Sequence, residues 1–313
     1  MLPSLEIVEV APRDGLQNES KALSIDTRIE LITRLVDAGC RRIEAVSFVH
    51  PRLVPQMAGA EEVVAGLPMR QGVSYIGLIL NTKGAERAIE TTIHELNIVV
   101  PVTNEFSIRN QGSTREQMLE HAINSVELAR SAGRRVSITL AVAFGCPFHG
   151  RVSLTEVRQV LEPLMDLDID EIAFADTIGI GVPGQVRALA GLVAPMLDGR
   201  AIRFHFHNTR NTGYANALVA TELAGFDGVS LDASVGGFGG CPFAPRATGN
   251  IGTEDLLNAI RGEIELGSKE FSIGGSVQGG EILGIDIERM CEIAEWLSTK
   301  LSSPIQSMLP RVR

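Results

Sequence analysis

Aromatic residues are scarce in this sequence, at 4% of 313 residues, although hydrophobic residues of all kinds make up 44%. A core built from this composition must be aliphatic, which suits a barrel lined with Val, Ile and Leu. The length exceeds that of most single domains but is ordinary for one α/β barrel. We therefore expect one domain with a large aliphatic core.

The sequence also lacks a basic tract and any run of 18 apolar residues. Its 38 Asp and Glu outnumber its 28 Lys and Arg, which gives a formal net charge of −10. This balance argues against a nucleic-acid partner, and the missing apolar run argues against a membrane span. Because a strand-like segment begins almost at once, no room remains for a signal peptide, and we expect a cytoplasmic protein.

Cysteines are few and form no CxxC pair: Cys40, Cys146, Cys241 and Cys291. Scattered cysteines of this kind indicate reduced thiols and argue against a disulfide framework or a zinc site. We expect Cys40 and Cys291 to be ordinary buried residues. For Cys146, which follows a strand, a buried and a functional role both remain open.

Strand-like and helix-like segments alternate along the chain. The strand-like runs are Glu6–Val10, Arg42–Ser47, Ser74–Leu80, Glu95–Val100, Arg135–Val142, Glu171–Ala175, Ile202–Phe206 and Gly228–Ala233. Ser24 is a predicted helix N-cap, and Ser153 with Glu156 forms a predicted capping box. Eight βα units predict a closed (β/α)8 TIM barrel. A doubly wound sheet is the alternative, but no GxGxxG motif follows the first strand.

The end of the sequence does not repeat the βα pattern. We expect one catalytic domain over residues 1–313, with the barrel spanning about residues 5–262 and a short C-terminal extension of about residues 263–313. A separate unit of about fifty residues would be only marginally stable.

Two histidines, His205 and His207, are two positions apart at the end of the seventh strand. His205 and His207 therefore point to the same face, where two neutral imidazoles offer lone pairs to one cation. A pair of hydrogen-bonded core histidines is the structural alternative. Asp14 follows the first strand, and at the same barrel mouth it would complete a facial metal site. Taken alone, Arg13-Asp14-Gly15 is typical of a surface turn.

A glycine-rich segment, Gly236–Cys241, follows the eighth strand. Four glycines in six residues allow left-handed backbone angles and a close approach to a ligand. The thiol at its end is mostly protonated at neutral pH and can donate a proton. We expect Cys241 to act as an acid at the barrel mouth, and a buried thiol is the alternative.

Several motifs, taken in order, closely resemble those of hydroxymethylglutaryl-CoA lyases. They lie between about residues 6 and 262 and comprise Val8–Glu19, Glu44–Phe48, Val54–Met57, Gly145–Phe148, Asp176–Gly179, Gly239–Pro242 and Thr248–Asn250. These lyases are a branch of a superfamily of metal-dependent TIM barrels that also contains isopropylmalate and homocitrate synthases. The resemblance implies an acyl-CoA substrate and a homodimer.

The resemblance also implies roles for individual residues. It implies four ligands for a divalent metal, Mg2+ or Mn2+: Asp14, His205, His207 and Asn250. Arg13 would stabilise an enolate oxygen, Cys241 would protonate the carbanion, and Glu44 and Asp176 would lie near the reacting centre. The expected reaction is retro-Claisen cleavage of a 3-hydroxy-3-methylglutaryl-CoA-like thioester to acetyl-CoA and a keto acid such as acetoacetate. Asp14 or Asp176 would remove the hydroxyl proton.

Three positions depart from the family pattern: Asn208 and Asn211 after the second histidine, and His149 where Glu is more common. A carboxylate lost beside a metal ligand changes the groups that orient that ligand. The acyl group therefore remains open. The alternatives are another 3-hydroxyacyl-CoA, a 4-hydroxy-2-oxo acid cleaved by an aldolase, the condensation direction, and a barrel that only binds a metal or an acyl-CoA.

Overall fold

The computed structural model describes residues 4–240, 249–266 and 281–313. The barrel strands are Ser4–Glu9 (β1), Arg42–Ser47 (β2), Ser74–Ile79 (β3), Glu95–Pro101 (β4), Arg135–Ala141 (β5), Glu171–Asp176 (β6), Ala201–Phe206 (β7) and Gly228–Ala233 (β8). The α-helices are Ile25–Asp37 (α1), Ala60–Ala65 (α2), Thr82–Ile89 (α3), Asn104–Gln111 (α4), Arg115–Ser131 (α5), Leu154–Leu161 (α6), Pro183–Leu197 (α7), Gly213–Ala220 (α8), Thr253–Glu265 (α9) and Ile287–Leu301 (α10). Within the described ranges, no helix is both long and apolar enough to cross a membrane.

The eight strands close into a barrel in the order β1-β8-β7-β6-β5-β4-β3-β2. All neighbouring strands are parallel, and at least one helix lies between each pair of consecutive strands. The predicted (β/α)8 barrel is therefore confirmed, and the doubly wound alternative is wrong. The predicted strand ends differ from the observed ones by no more than two residues.

Helix starts also follow the predicted chemistry. Ser24 Oγ accepts a hydrogen bond from Thr27 N (3.2 Å) at the start of α1. At α6, Ser153 Oγ accepts from Glu156 N (3.3 Å), and Glu156 Oε2 accepts from Ser153 N (2.8 Å). These bonds satisfy N–H groups that the first helical turn leaves unpaired. The predicted N-cap and capping box are both confirmed.

The inside of the barrel carries a charged layer. Arg42 on β2 forms ion pairs with Glu95 on β4 (2.7 Å) and Glu171 on β6 (2.8 Å), and it donates to Ser230 Oγ on β8 (3.3 Å). Four residues from alternate strands thus form one layer across the barrel. The expected aliphatic lining is wrong here, because mutual pairing lets buried charges occupy the centre.

The aliphatic residues that the composition predicted pack mainly elsewhere. One continuous hydrophobic core joins residues from most of the strands and helices, and Leu31, Leu35, Ile43 and Val63 are fully buried within it. Most aliphatic side chains therefore belong to this core, while Val8, Val10 and Ile76 form a small separate cluster and the charged layer lies inside the barrel.

Helix α10 lies against the connection between α1 and β2. The backbone N–H of Asp286 donates to Ala38 O (2.8 Å), and the Asp286 carboxylate caps α10 by accepting from Glu288 N and Arg289 N. The division of the chain into a barrel, about residues 5–262, and a C-terminal extension, about residues 263–313, stays a prediction.

The residues that follow α10 contact the loops after β1 and β8. Ser303 Oγ donates to Glu19 Oε2 (2.7 Å). The backbone N–H groups of Gln306 and Ser307 both donate to Gly236 O, at 2.8 and 3.1 Å. The end of the described chain therefore supports two loops at the carboxyl ends of the barrel strands.

Candidate active site and metal centre

A cavity of about 190 Å³ opens at the carboxyl ends of the barrel strands. One side of its wall is polar and consists of residues from β7, β8 and the loop after β1: Arg13, Asp14, His205, His207 and Asp232. The side across the barrel mixes apolar and polar residues on and after β3 to β5, and it includes Leu78, Leu80, Asn97, Val99, Thr139 and Ala141. This is the end of a TIM barrel where catalytic groups are found.

Asp14, His205 and His207 meet in the polar wall. Nε2 of His205 lies 3.0 Å from Nε2 of His207, and each of these atoms lies 3.8 Å from Oδ2 of Asp14. The point in their plane that is equidistant from all three atoms lies about 2.1 Å from each, a usual metal–ligand bond length. The three side chains are buried. Their donor atoms therefore fit one divalent cation.

Local structure explains why these side chains converge. The N–H groups of Arg13, Asp14 and Gly15 all donate to Val10 O, at 3.1, 2.8 and 3.2 Å, and this forms a tight turn directly after β1. Alternation along the chain places His205 on β7 and His207, directly after its end, on the same inner face. Phe206 lies between them in sequence and is fully buried in the main hydrophobic core.

Asn250, the fourth predicted ligand, adjoins the other three. Its Nδ2 donates to Asp14 Oδ2 (2.9 Å) and to Phe238 O (3.0 Å), and its backbone forms an isolated bridge with His207. Gly239 has a φ of +130°, and a Cβ there would lie 2.4 Å from Asn250 Nδ2. Glycine at this position thus lets the loop after β8 approach the centre closely.

Charges around the centre fix the ionisation of Asp14. Burial alone would raise the pKa of this carboxyl, but Arg13 and the two imidazoles hold it well below its usual range. For His205, burial would lower the pKa, but Asp232 and Asp14 raise it above the ordinary histidine value. Asp14 is therefore an anion at every physiological pH, as a metal ligand must be.

Arg13 is held between two carboxylates. Its Nε donates to Glu44 Oε2 (2.6 Å), and Nη1 donates to Asp14 Oδ1 (2.5 Å). Glu44 Oε1 in turn accepts from Asn97 Nδ2 (2.7 Å). Burial would lower the pKa of Arg13, but Glu44 and Asp14 raise it, so that the guanidinium is a fixed cation in the cavity wall. Glu44 thus contacts Arg13, a residue of the cavity wall, but is not itself part of that wall.

Asp176 is fully buried at the end of β6, beside the cavity but not in its wall. Its two oxygens accept N–H groups from the following loop, Ile180 N at 2.9 Å and Gly181 N at 2.8 Å. Burial raises the pKa of Asp176 in spite of these bonds. The side chain therefore shapes the loop after β6, and its expected catalytic role stays a prediction.

Cys241 lies outside the described residues, and the residues on both sides of residues 241–248 are close together. Gly240 lines the cavity, and its carbonyl oxygen accepts from Asn18 Nδ2 (2.6 Å). A Cβ on Gly249 would lie 2.6 Å from Gly239 O. The chain therefore leaves and re-enters the described structure beside Asn250.

The other cysteines are buried free thiols: Cys40, Cys146 and Cys291. Burial raises the pKa of Cys40 well above the usual thiol value and that of Cys291 to about 12. Cys146 accepts a hydrogen bond from Thr103 Oγ1 (3.2 Å). The expectation that Cys40 and Cys291 are ordinary buried residues is confirmed, and the structure favours the buried role for Cys146.

The three departures from the family pattern lie away from the cavity wall. Asn208 Oδ1 accepts from Gly213 N (3.2 Å), and Asn211 adopts a φ of +57°. His149 pairs with Glu156 (2.9 Å) and is 40% exposed in its side chain. Asn208 and His149 thus make contacts within the loops that follow β7 and β5.

Asp232 and Gln111 are among the cavity residues for which the sequence predicted no role. Asp232 could have been found, because it alternates with Ser230 on β8 and must share its inward face. Gln111 ends α4, outside the strands, and no sequence signal marks it. Its Nε2 and Oε1 are shielded from solvent and have no hydrogen-bond partner among the described residues.

The sequence of residues 4–272 matches the profile of the HMGL-like family. The chain belongs to this family. It is 37% identical to the (R)-citramalyl-CoA lyase of Chloroflexus aurantiacus, a match that covers 98% of this chain and 94% of that protein. It is also 37% identical to the hydroxymethylglutaryl-CoA lyase of Pseudomonas mevalonii, over 98% of this chain and 95% of the relative.

Solved structures agree with this assignment. The fold matches an HMG-CoA lyase from Acinetobacter baumannii, in complex with coenzyme A and 3-methylmalate, with a TM-score of 0.86 and 36% identity over 99% of this chain and 95% of that one. The Pseudomonas aeruginosa hydroxymethylglutaryl-CoA lyase matches with a TM-score of 0.87 and 34% identity over 99% and 97%. The predicted family and enzyme class, a carbon–carbon lyase, are confirmed.

Proposed function

We propose that this HMGL-like protein is a divalent-metal-dependent lyase that cleaves 3-hydroxy-3-methylglutaryl-CoA or a close analogue to acetyl-CoA and a keto acid such as acetoacetate. The observation that carries the proposal is the pairing, in one cavity, of three cation-binding donors with the fixed cation of Arg13. Retro-Claisen cleavage needs both, one for the alkoxide that forms and one for the enolate that leaves.

The proposed cation ligands are Asp14, His205, His207 and Asn250. Asn250 would bind through Oδ1, with Nδ2 kept on Phe238 O. A divalent cation bound there lowers the pKa of a substrate hydroxyl that it contacts. We propose Mg2+ or Mn2+, because carboxylate and amide oxygens suit these hard ions and imidazole is compatible with Mn2+.

Arg13 is proposed to stabilise the enolate oxygen of the departing thioester. A guanidinium has five N–H donors, and three of its nitrogens each contact Glu44 or Asp14 in this protein. One hydrogen on each Nη remains for a substrate oxygen in the cavity. Because both carboxylates hold the group in place, it needs no reorientation as negative charge develops.

Proton removal is proposed for one of the two predicted carboxylates. Asp14 is a weak base, since its neighbours hold its pKa far down. Asp176 is the stronger base because burial raises its pKa, and each of its oxygens keeps a second lone pair beside the N–H that it accepts. Asp176 would act from beside the cavity, between Ala175 and Thr177, which line it. Cys241 is proposed to return a proton to the carbanion.

A second candidate substrate is a citramalyl-CoA-like thioester, favoured by the 37% identity to a citramalyl-CoA lyase over nearly the whole chain. Both substrates are 3-hydroxyacyl thioesters, and cleavage of the same bond gives pyruvate in place of acetoacetate. An aldolase acting on a 4-hydroxy-2-oxo acid and a non-catalytic acyl-CoA- or metal-binding barrel remain weaker alternatives. We also propose a cytoplasmic homodimer, an expectation that rests on the sequence and its resemblance alone.

One coupled assay tests the proposal. The metal-stripped protein is mixed with each thioester, with and without Mg2+ or Mn2+, and acetyl-CoA, acetoacetate and pyruvate are measured. We expect metal-dependent release of acetyl-CoA together with one of the two keto acids. Release without metal would contradict the metal role, and no release from either thioester would leave the aldolase or the binding barrel.

A further inference from the structure

Asp232 is the penultimate residue of β8, beside the proposed metal centre. Strands β7 and β8 are parallel neighbours, and Asp232 lies directly opposite His205 in their register. Its Oδ2 is 3.1 Å from Nδ1 of His205. Both side chains are buried, Asp232 at 5% and His205 at 8% exposure. The contact is therefore shielded from water and fixed by the backbone pairing of two strands.

The two nitrogens of His205 face different partners. Nδ1 meets Asp232, while Nε2 lies among Asp14 and His207. A carboxylate that accepts the Nδ1–H fixes the proton on that nitrogen and leaves the lone pair of Nε2 for a cation. The same hydrogen bond also fixes the rotation of the imidazole ring about its Cβ–Cγ bond.

Among the described residues, His207 has no equivalent partner. Its Nδ1 is buried and has no hydrogen bond within the described ranges. The two imidazoles of the centre are therefore unequal: one is oriented by a carboxylate, and the other by packing and by its contacts with Asp14 and His205.

The Asp232 carboxylate also contacts a buried cation, Arg203. Arg203, two residues before His205 on β7, has its Nε 3.7 Å from Asp232 Oδ1 and 3.4 Å from Glu171 Oε2. Glu171 is anchored in turn by Arg42 in the cross-barrel layer (2.8 Å). A continuous set of buried charges thus connects the centre of the barrel to one imidazole of the metal centre.

We propose that Asp232 is a positioning residue that sets the affinity of the centre for its cation by orienting His205 and raising its basicity. This inference rests on the proposed metal centre. Loss of such a carboxylate typically weakens metal affinity by about 10- to 100-fold. Asp232 itself contributes no ligand atom in this scheme.

The test is the dissociation constant for Mn2+ by calorimetry on the full chain, compared among the wild type, Asp232→Asn and Asp232→Ala. We expect the order wild type, Asn, Ala from tightest to weakest, with Ala weaker by about 10- to 100-fold. Asn keeps an oxygen that accepts the Nδ1–H but loses the negative charge, so it should be intermediate. If the Ala variant does not fold, the Asn variant alone tests the inference.

Ser230→Ala is the matched control. Ser230 lies on the same strand and the same inner face, donates to Glu171 (2.9 Å), and pairs in register with Arg203, whereas Asp232 pairs with His205. Its variant should bind Mn2+ as the wild type does. Equal affinity of the Asp232 variants and the wild type would overturn the inference, as would an equal loss in Ser230→Ala. If the wild type itself binds no Mn2+, the proposed metal function fails instead.

Discussion

Removing Arg42 should destabilise the protein strongly, because this side chain neutralises two buried carboxylates at once. Its guanidinium contacts Glu95 Oε1 at 2.7 Å and Glu171 Oε2 at 2.8 Å, and all three side chains are at most 3% exposed. Arg42→Met fills the same space without the charge. Breaking a buried ion pair by removing one partner costs about 3–5 kcal/mol.

The remaining contacts keep the cost within that range. Without Arg42, Glu95 retains Ser137 Oγ at 2.6 Å, and Glu171 retains Ser230 Oγ at 2.9 Å together with Arg203. Each carboxylate is therefore partly satisfied. We expect the free energy of unfolding to fall by about 3–5 kcal/mol and not by twice this amount.

The assay is urea unfolding at pH 7, with Arg70→Met as the matched control. Arg70 pairs with Asp37 at the same 2.7 Å, but the side chains are 55% and 45% exposed. Exposed pairs contribute at most about 1 kcal/mol, so the control should change little. A loss below about 1 kcal/mol in Arg42→Met, no larger than in Arg70→Met, would refute the reasoning.

The pH dependence gives a second readout of the same variant. Burial alone would raise the pKa of Glu171, but Arg42 and Arg203 lower it to about 2 in the folded protein, from an ordinary value of 4.5. Such a carboxylate stabilises the fold above pH 4.5 and loses that contribution as the pH falls towards 2. The difference between the wild type and Arg42→Met should therefore shrink below pH 4.5.

Four further predictions concern the site and its support. His207→Ala should lose bound metal and activity in parallel, and full metal content by elemental analysis would contradict the ligand assignment. Arg13→Met should keep metal and KM while kcat falls by about 10³-fold, whereas a raised KM with unchanged kcat would make it a binding residue. Cys241→Ser should cut kcat severely at unchanged metal content, and near-normal turnover would exclude the thiol as the acid. Burial raises the pKa of Glu254 to about 8, so folding stability should fall as the pH rises from 4.5 to 8, by up to about 1.4 kcal/mol per pH unit. Glu254→Gln should flatten this slope in urea unfolding, and an unchanged slope would assign it to other groups.

The strands and the cluster of Asp14, His205 and His207 could be predicted from the sequence because their signals are local. Alternation alone places His205 and His207 on one face, and the strand order then brings Asp14 to the same mouth. The environment of Asp176 could not be predicted in this way. Its two backbone partners, Ile180 and Gly181, depend on how the following loop folds back.

The charged layer inside the barrel could not be predicted from the sequence, for a different reason. Arg42, Glu95 and Glu171 are separated by up to 129 positions in the sequence, and each looks like an ordinary residue at the start of a strand. Only closure of the barrel brings alternate strands to one level, where the charges pair. Composition counts aliphatic residues but does not tell on which side of the sheet they lie.

The bonds from Gln306 and Ser307 to Gly236 have a consequence for biosynthesis. A ribosome makes Gly236 some seventy residues before Ser307. The strands of the barrel can pair while translation continues, but the loop after β8 stays without these bonds until the segment beyond α10 has emerged. The nascent chain can therefore complete its barrel strands before the segment beyond α10 secures the loop after β8.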